Sequence, residues 1–184
     1  MGIGRSWVGY MEKIQKLYEM FVRAASSLES PFLLIVRLYW GWQFMQTGWG
    51  KLGDLAKVTN FFTSLGIPAP ALNAYFISGL EFAGGILLAI GLGSRLIAFL
   101  LAADMAVAYY VADHDALLSF FSDPDKFYAA APFTFLIASL IVLIFGPGKL
   151  ALDTIIGKRF GQPTLPVGAA RPAPLQNSAS LLRP

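Results

Sequence analysis

Five ionisable side chains stand in, or at the ends of, stretches that are otherwise apolar: Arg37, Lys51, Glu81, Asp104 and His114. A charge carried into the hydrocarbon layer of a bilayer costs roughly 3 kcal/mol or more, so such residues are paired, or they serve a ligand or a proton. Arg37, Gly41, Phe44, Gly48 and Lys51 recur at steps of four, three, four and three, which puts them on one face of a helix. The glycines on that face would admit a neighbouring helix or a flat ligand. Ser78, Glu81, Gly85 and Leu88 share a face of a second helix, and Leu101, Asp104, Ala108 and Val111 share one of a third. If the second runs down and the third runs up, Glu81 and Asp104 fall at one depth. Arg37 is then expected to pair with one of them, leaving the other carboxyl free to exchange protons.

Lys51 reaches the far interface, where its long stem lets it snorkel to water. His114 lies between Asp113 and Asp115 at the end of the third stretch. A proton-releasing or headgroup-contacting role there competes with the simpler reading of a solvated loop histidine. The plain alternative for the intramembrane set is structural, an Arg–carboxylate pair that fixes helix register.

Other chemistry is excluded by what the chain lacks. It has no cysteine and a single histidine. Disulfides, iron–sulfur clusters, c-type haem attachment and multi-histidine metal sites therefore cannot be built from this chain alone. No nucleophile triad or phosphate-cradling loop is visible, and Gly84-Gly85 sits in an apolar helix. The net charge of +3 comes from residues clustered at helix ends, which points to topology and not to nucleic acid. The chain is not expected to act as a stand-alone enzyme, nor to hold haem or metal by itself.

These residues must be positioned by membrane helices. Hydrophobic residues make up 56% of the chain and charged ones 14%, against about 25% charged in soluble domains. With a mean hydropathy of +0.60, there is too little polar surface to cover a water-soluble fold. Stretches 31–49, 72–92, 95–112 and 129–145 are apolar and near the ~20 residues needed to cross a bilayer. Ser30 and Pro31 would start the first, Ile67-Pro68-Ala69-Pro70 precedes the second, and Gly91-Leu92-Gly93-Ser94 turns tightly into the third. Gly146-Pro147-Gly148 stops the fourth, and Asp153-Thr154 would cap a short segment after it. Ten basic residues fall on one side of these segments and only Lys51, Lys57 and Lys126 on the other. That bias predicts a multi-pass protein with both termini cytoplasmic, and the membrane expected for it is the bacterial cytoplasmic (inner) membrane.

Residues 1–30 are too charged for a signal peptide. Within them Trp7, Met11, Ile14, Tyr18, Phe21, Ala25 and Leu28 form an apolar stripe, which predicts an amphipathic helix on the inner leaflet or a docking face for a partner. A short interfacial helix is expected over 55–65, and 113–128 could carry another. Tyr109 and Tyr110 read as interfacial anchors. The expected fold is all-α: a four-transmembrane-helix antiparallel bundle over 31–156, an N-terminal amphipathic interfacial helix over 1–30 and a Pro-rich cytoplasmic tail over 157–184.

Arg37 followed by Gly48-Trp49-Gly50-Lys51-Leu52 resembles the first helix of the DoxX family. Glu81-Phe82-Ala83-Gly84-Gly85, Gly91-Leu92-Gly93-Ser94-Arg95, the run Ala102 to His114, Gly146-Pro147-Gly148 and Asp153 continue the likeness in order, over about 31–156. The resemblance implies a four-helix membrane protein with polar positions at Arg37, Lys51, Glu81 and Arg95. It implies association with quinone-linked sulfur oxidation or with membrane oxidoreductase complexes in oxidative-stress defence. The bundle also resembles that of vitamin K epoxide reductases, whose cysteine chemistry cannot transfer to this chain.

The function expected from these residues is a subunit of a quinone-linked oxidoreductase or respiratory-type complex. Its quinone headgroup would take hydrogen bonds from Arg37 and meet Lys51, Glu81, Asp104 and His114. A non-catalytic accessory subunit of a respiratory or photosynthetic complex is the alternative, and a small carrier ranks third, since no inverted repeat is visible. The expected partners are the lipid bilayer and other membrane subunits, met through the N-terminal helix and the tail.

Overall fold

The computed structural model describes residues 3–159, and every regular element among them is an α-helix. In chain order these are α1 (Ile3–Ser27), α2 (Glu29–Gly53), α3 (Leu55–Ser64), α4 (Pro70–Ile90) and α5 (Ser94–Val111). They continue with α6 (His114–Leu118), α7 (Pro124–Ala129), α8 (Ala131–Phe145) and α9 (Leu152–Arg159). α9 crosses the expected boundary at 156/157, and the remainder of the expected tail lies outside the described residues.

The helix limits follow local chemistry. Asp54 caps α3 and Asp123 caps α7, each carboxylate accepting the backbone N–H three residues on. Pro70 and Pro132 sit in the first turns of α4 and α8, where a missing N–H costs nothing. Gly91 and Gly93 take positive φ of 76° and 59°, closing the α4–α5 turn that the sequence predicts. The start of α2 differs from expectation. The helix begins at Glu29, and the Ser30 hydroxyl accepts from the Lys149 backbone N–H instead of capping its own helix.

α2, α4, α5 and α8 form a closed ring of four. α2 packs most extensively on α4, and α5 on α8; the contacts of α4 with α5 and of α2 with α8 complete the ring. Glycines set the α2–α4 spacing. A Cβ on Gly41 would stand 2.7 Å from the Gly85 carbonyl oxygen, and one on Gly85 2.5 Å from the Met45 nitrogen. Gly41 meets Gly85 and Ala89, whereas Gly48 meets Ser78 and Phe82, so the two helices are antiparallel. α5 and α8 are antiparallel too: the Tyr109 hydroxyl bonds the Phe127 carbonyl just before α8, and Arg95 lies against Gly146 just after it. Val36, Phe44, Leu88, Ala98, Leu101, Met105, Ala138 and Val142 fill the middle.

The outer surface of the bundle is largely apolar, and a few charged and polar groups are buried beside the apolar core. Phe32, Ile35, Trp42, Tyr75, Phe76, Leu96, Phe99 and Ile144 face outward, while Arg37, Ser78, Glu81 and Asp104 are buried. α4 and α5, with 21 and 18 residues, are each long and apolar enough to cross a membrane. Only 33% and 39% of their apolar windows are buried, unlike the core helices of a soluble fold. α2 is long enough but carries Arg37 and Lys51, and α8 has 15 residues, a rise of about 22 Å. α1 has the predicted stripe. Met11, Ile14, Tyr18 and Phe21 are exposed, uncovered by any other described element.

Candidate functional site

Close packing of α2 on α4 creates the site. A Cβ at Gly48 would overlap the Phe82 backbone, so at this level the two main chains are in contact. One turn further along α2, that contact sets Lys51 against α4, and its Nζ lies 2.5 Å from Glu81 Oε1. The Glu81 side chain is 2% exposed and that of Lys51 35%, so a buried carboxylate is held by a cation with one end in the open. Asp104, on the next helix, is buried beside the same space. Glu81 Oε2 and Asp104 Oδ2 have no hydrogen-bond partner.

Lys51, Glu81 and Asp104 line one cavity of about 750 Å³. Val107, Ala108 and Val111 of α5 form its apolar wall, and Val58, Phe61 and Phe62 of α3 cover it. Asp54 and Lys57 lie at the junction of α2 with α3. The predicted faces of α4 and α5 are therefore the ones that turn inward together. α3, expected as a helix lying on the interface, is the cover of the site. The sequence carried that information only as an amphipathic pattern, which does not say what its apolar side meets.

The expected pairing of Arg37 with Glu81 or Asp104 is not what the structure contains. Arg37 and Lys51 share a face of α2, but fourteen residues separate them by about 21 Å along the axis. Arg37 lies at the other end of the bundle, 0% exposed, and its Nη2 donates to the Leu150 carbonyl at 2.6 Å. Its guanidinium fills the space beside Gly91, where a Cβ would overlap it. Nε and Nη1 have no partner.

The same end is tied by Asp153, which the sequence suggested as a cap for its own segment. Instead its carboxylate accepts the N–H groups of Gly93 at 2.7 Å and Ser94 at 2.8 Å, capping the start of α5. Its own N–H donates to the Gly91 carbonyl. Thr154 donates to the Gly148 carbonyl at 2.9 Å. Arg37 therefore belongs to a clasp that joins α2, the α4–α5 turn and the segment after α8.

His114 is exposed at the start of α6, with Nδ1 3.1 Å from the Tyr110 carbonyl oxygen, and it does not line the cavity. Tyr110 is exposed, as an interfacial anchor would be, but Tyr109 is buried. Its ring stacks on Phe127 and its hydroxyl donates to the Phe127 carbonyl, fastening the α6–α7 segment to α5.

The family model described as DoxX matches residues 32–114, a stretch that holds all five candidate residues, the α3 cover and the α4–α5 turn. An uncharacterized protein of Haemophilus influenzae is 31% identical over 130 residues, covering 68% of this chain and 83% of its own. A Bacillus subtilis protein described as "Putative oxidoreductase CatD" is 28% identical over 130 residues, covering 70% of this chain and 90% of its own. No solved structure matches significantly. On the family match and the likeness to the Haemophilus protein over two thirds of this chain, the chain belongs to the DoxX family.

Proposed function

We propose that this chain is an integral membrane subunit of a quinone-linked oxidoreductase, and that the Lys51–Glu81–Asp104 cavity receives the quinone headgroup. The observation that carries the reading is a buried carboxylate held by a half-buried lysine, with a second buried carboxyl, at the inner end of a roomy and mainly apolar cavity. About 300–1,000 Å³ is the usual size of a small-molecule site, and few polar groups in an apolar lining is its usual make-up. When bound, a quinone would supply two-electron, two-proton redox chemistry to this site. Lys51 would orient the headgroup by donating to it. Glu81, fixed by Lys51, would hold that lysine in place, and Asp104, as a carboxylate, would take up a proton from the headgroup. Likeness to a relative described as an oxidoreductase agrees with this reading.

In the same reading the chain lies in a bacterial cytoplasmic membrane, and α2, α4, α5 and α8 all cross it. α2 reaches across with Arg37 and Lys51 turned inward, and α8 makes up its short length by locally thinning the bilayer. Both chain ends then lie on the cytoplasmic side, and the cavity opens toward the outer leaflet. Electrons must come from a partner subunit, because the chain has no cysteine and a single histidine from which to build a redox centre.

The test is to isolate the protein from native membranes with its associated subunits and extract the lipid fraction. Stoichiometric quinone, and loss of quinone-dependent turnover in Glu81→Gln with subunit assembly intact, are the expected results. Quinone-free protein with full turnover in Glu81→Gln rules the reading out. A non-catalytic accessory subunit is the second reading, favoured by the uncovered apolar face of α1. It predicts that Glu81→Gln leaves the complex unchanged, whereas charged residues at Met11, Ile14 and Tyr18 release the chain from it.

A further inference from the structure

We propose that the cavity binds the hydroquinone in preference to the quinone. This rests on the quinone reading above and names the redox form the wall recognises. Quinone carbonyls only accept hydrogen bonds, whereas hydroquinone hydroxyls also donate them. At the buried end of the wall the polar atoms without partners are acceptors, and Lys57, a further donor of the lining, is exposed on α3. The Thr47 hydroxyl donates to the carbonyls of its own helix, Gln43 and Phe44. Asn73 Nδ2 gives one of its two N–H groups to the Pro68 carbonyl. Lys51 Nζ is engaged by Glu81 Oε1, leaving its remaining N–H groups as the donors nearest the buried carboxylates. Against these stand two buried acceptors without partners, Glu81 Oε2 and Asp104 Oδ2.

A hydroxyl entering between α4 and α5 gives these carboxyl groups the donor they lack and forms a charge-assisted bond. A carbonyl oxygen in the same place faces carboxylate oxygens, and the desolvated acceptors stay unsatisfied. The ring itself is served equally in both forms by the apolar wall of α5 and by Phe61 and Phe62. The difference between the two forms therefore lies in the hydroxyls alone.

The experiment measures equilibrium binding of a decyl-tailed benzoquinone and of its hydroquinone. It uses the full chain in lipid nanodiscs, under argon. The hydroquinone is expected to bind on the order of tenfold tighter or more, the value of one charge-assisted bond. Asp104→Asn places an amide N–H₂ donor at the acceptor position and is expected to remove that preference while quinone binding is kept or improved. Quinone binding as tight as, or tighter than, hydroquinone binding in the unaltered protein overturns the inference and leaves the quinone reading standing. Binding of neither probe overturns both. A folded Asp104→Asn protein that keeps the preference overturns the assignment to Asp104. Should that variant not fold, the ratio in the unaltered protein decides alone.

Discussion

α2 carries a cation near each end of one face, and the two have opposite fates. Arg37 is sealed by a turn, a carbonyl and a carboxylate-capped helix start, with the backbone of three segments closed around it. Lys51 bonds a single carboxylate at the edge of a cavity, with a separate helix as cover. Both cations sit about one turn from a glycine that lets α4 approach. What separates them is the cover each receives: main chain, which has its own hydrogen bonds to satisfy, or side chains of an amphipathic helix, which do not. The Arg37 end is built to hold the bundle, and the Lys51 end is left with room.

The comparison can be broken most severely at the shared seam. Gly48→Val drives a side chain into the Phe82 backbone and is expected to cost more than about 4 kcal/mol. Thermal unfolding in detergent should show loss of the cooperative transition. Retention of a near-normal transition would mean that α2 and α4 are not in backbone contact.

Next in size is Lys51→Met. It strands Glu81 as a buried carboxylate, a loss of roughly 3 kcal/mol, at the low end for a buried pair because Lys51 is one-third exposed. Lys51→Met with Glu81→Gln should recover most of that loss, and a double-mutant cycle measures the coupling. Additive effects would mean that the two residues do not interact.

Asp153→Ala removes two charge-assisted bonds at the start of α5 and should cost about 2 kcal/mol. It sharpens the contrast between the ends, because hydroquinone affinity should stay within about twofold of the unaltered protein. A large loss of affinity would show that the clasp and the cavity act as one unit.

Phe61→Ala makes the opposite division. The ring is half exposed, so stability should change by no more than about 1 kcal/mol while probe affinity falls. Smallest of all is Gly79→Ala on α4, where a Cβ meets nothing within 4 Å. It should be neutral or stabilising by up to about 1 kcal/mol, the ordinary helix-propensity gain.

Helix faces were legible in the sequence because a 3.6-residue period repeats along the chain. Ser78, Glu81, Gly85 and Leu88 are all buried, as are Arg37, Gly41, Phe44 and Gly48. The turns at Gly91-Leu92-Gly93 and Gly146-Pro147-Gly148 were legible because their φ values suit glycine. The partners were not legible. Arg37 bonds a main-chain carbonyl 113 positions away, and every residue has one. Asp153 caps a helix that starts 59 positions earlier, whereas capping is ordinarily read from adjacent residues. Charge complementarity suggested Arg37 for Glu81 or Asp104. The axial rise along α2 forbids that pairing and assigns Lys51, which had an easier explanation as a snorkelling interfacial side chain. Tyr109 likewise passed for an anchor, because burial against Phe127 depends on a fold-back of α6 and α7.

The four-membered ring is made of two tight couples, α2 with α4 and α5 with α8, and the couples meet more sparingly across α4 and α5. Lys51 and Glu81 ride on the first couple, Asp104 on the second. A slight parting of the couples, like jaws turning on the clasped end, would widen the gap to Asp104 yet leave the Lys51–Glu81 bond at its full strength. The gape of the site and the integrity of its ion pair are thus mechanically independent quantities.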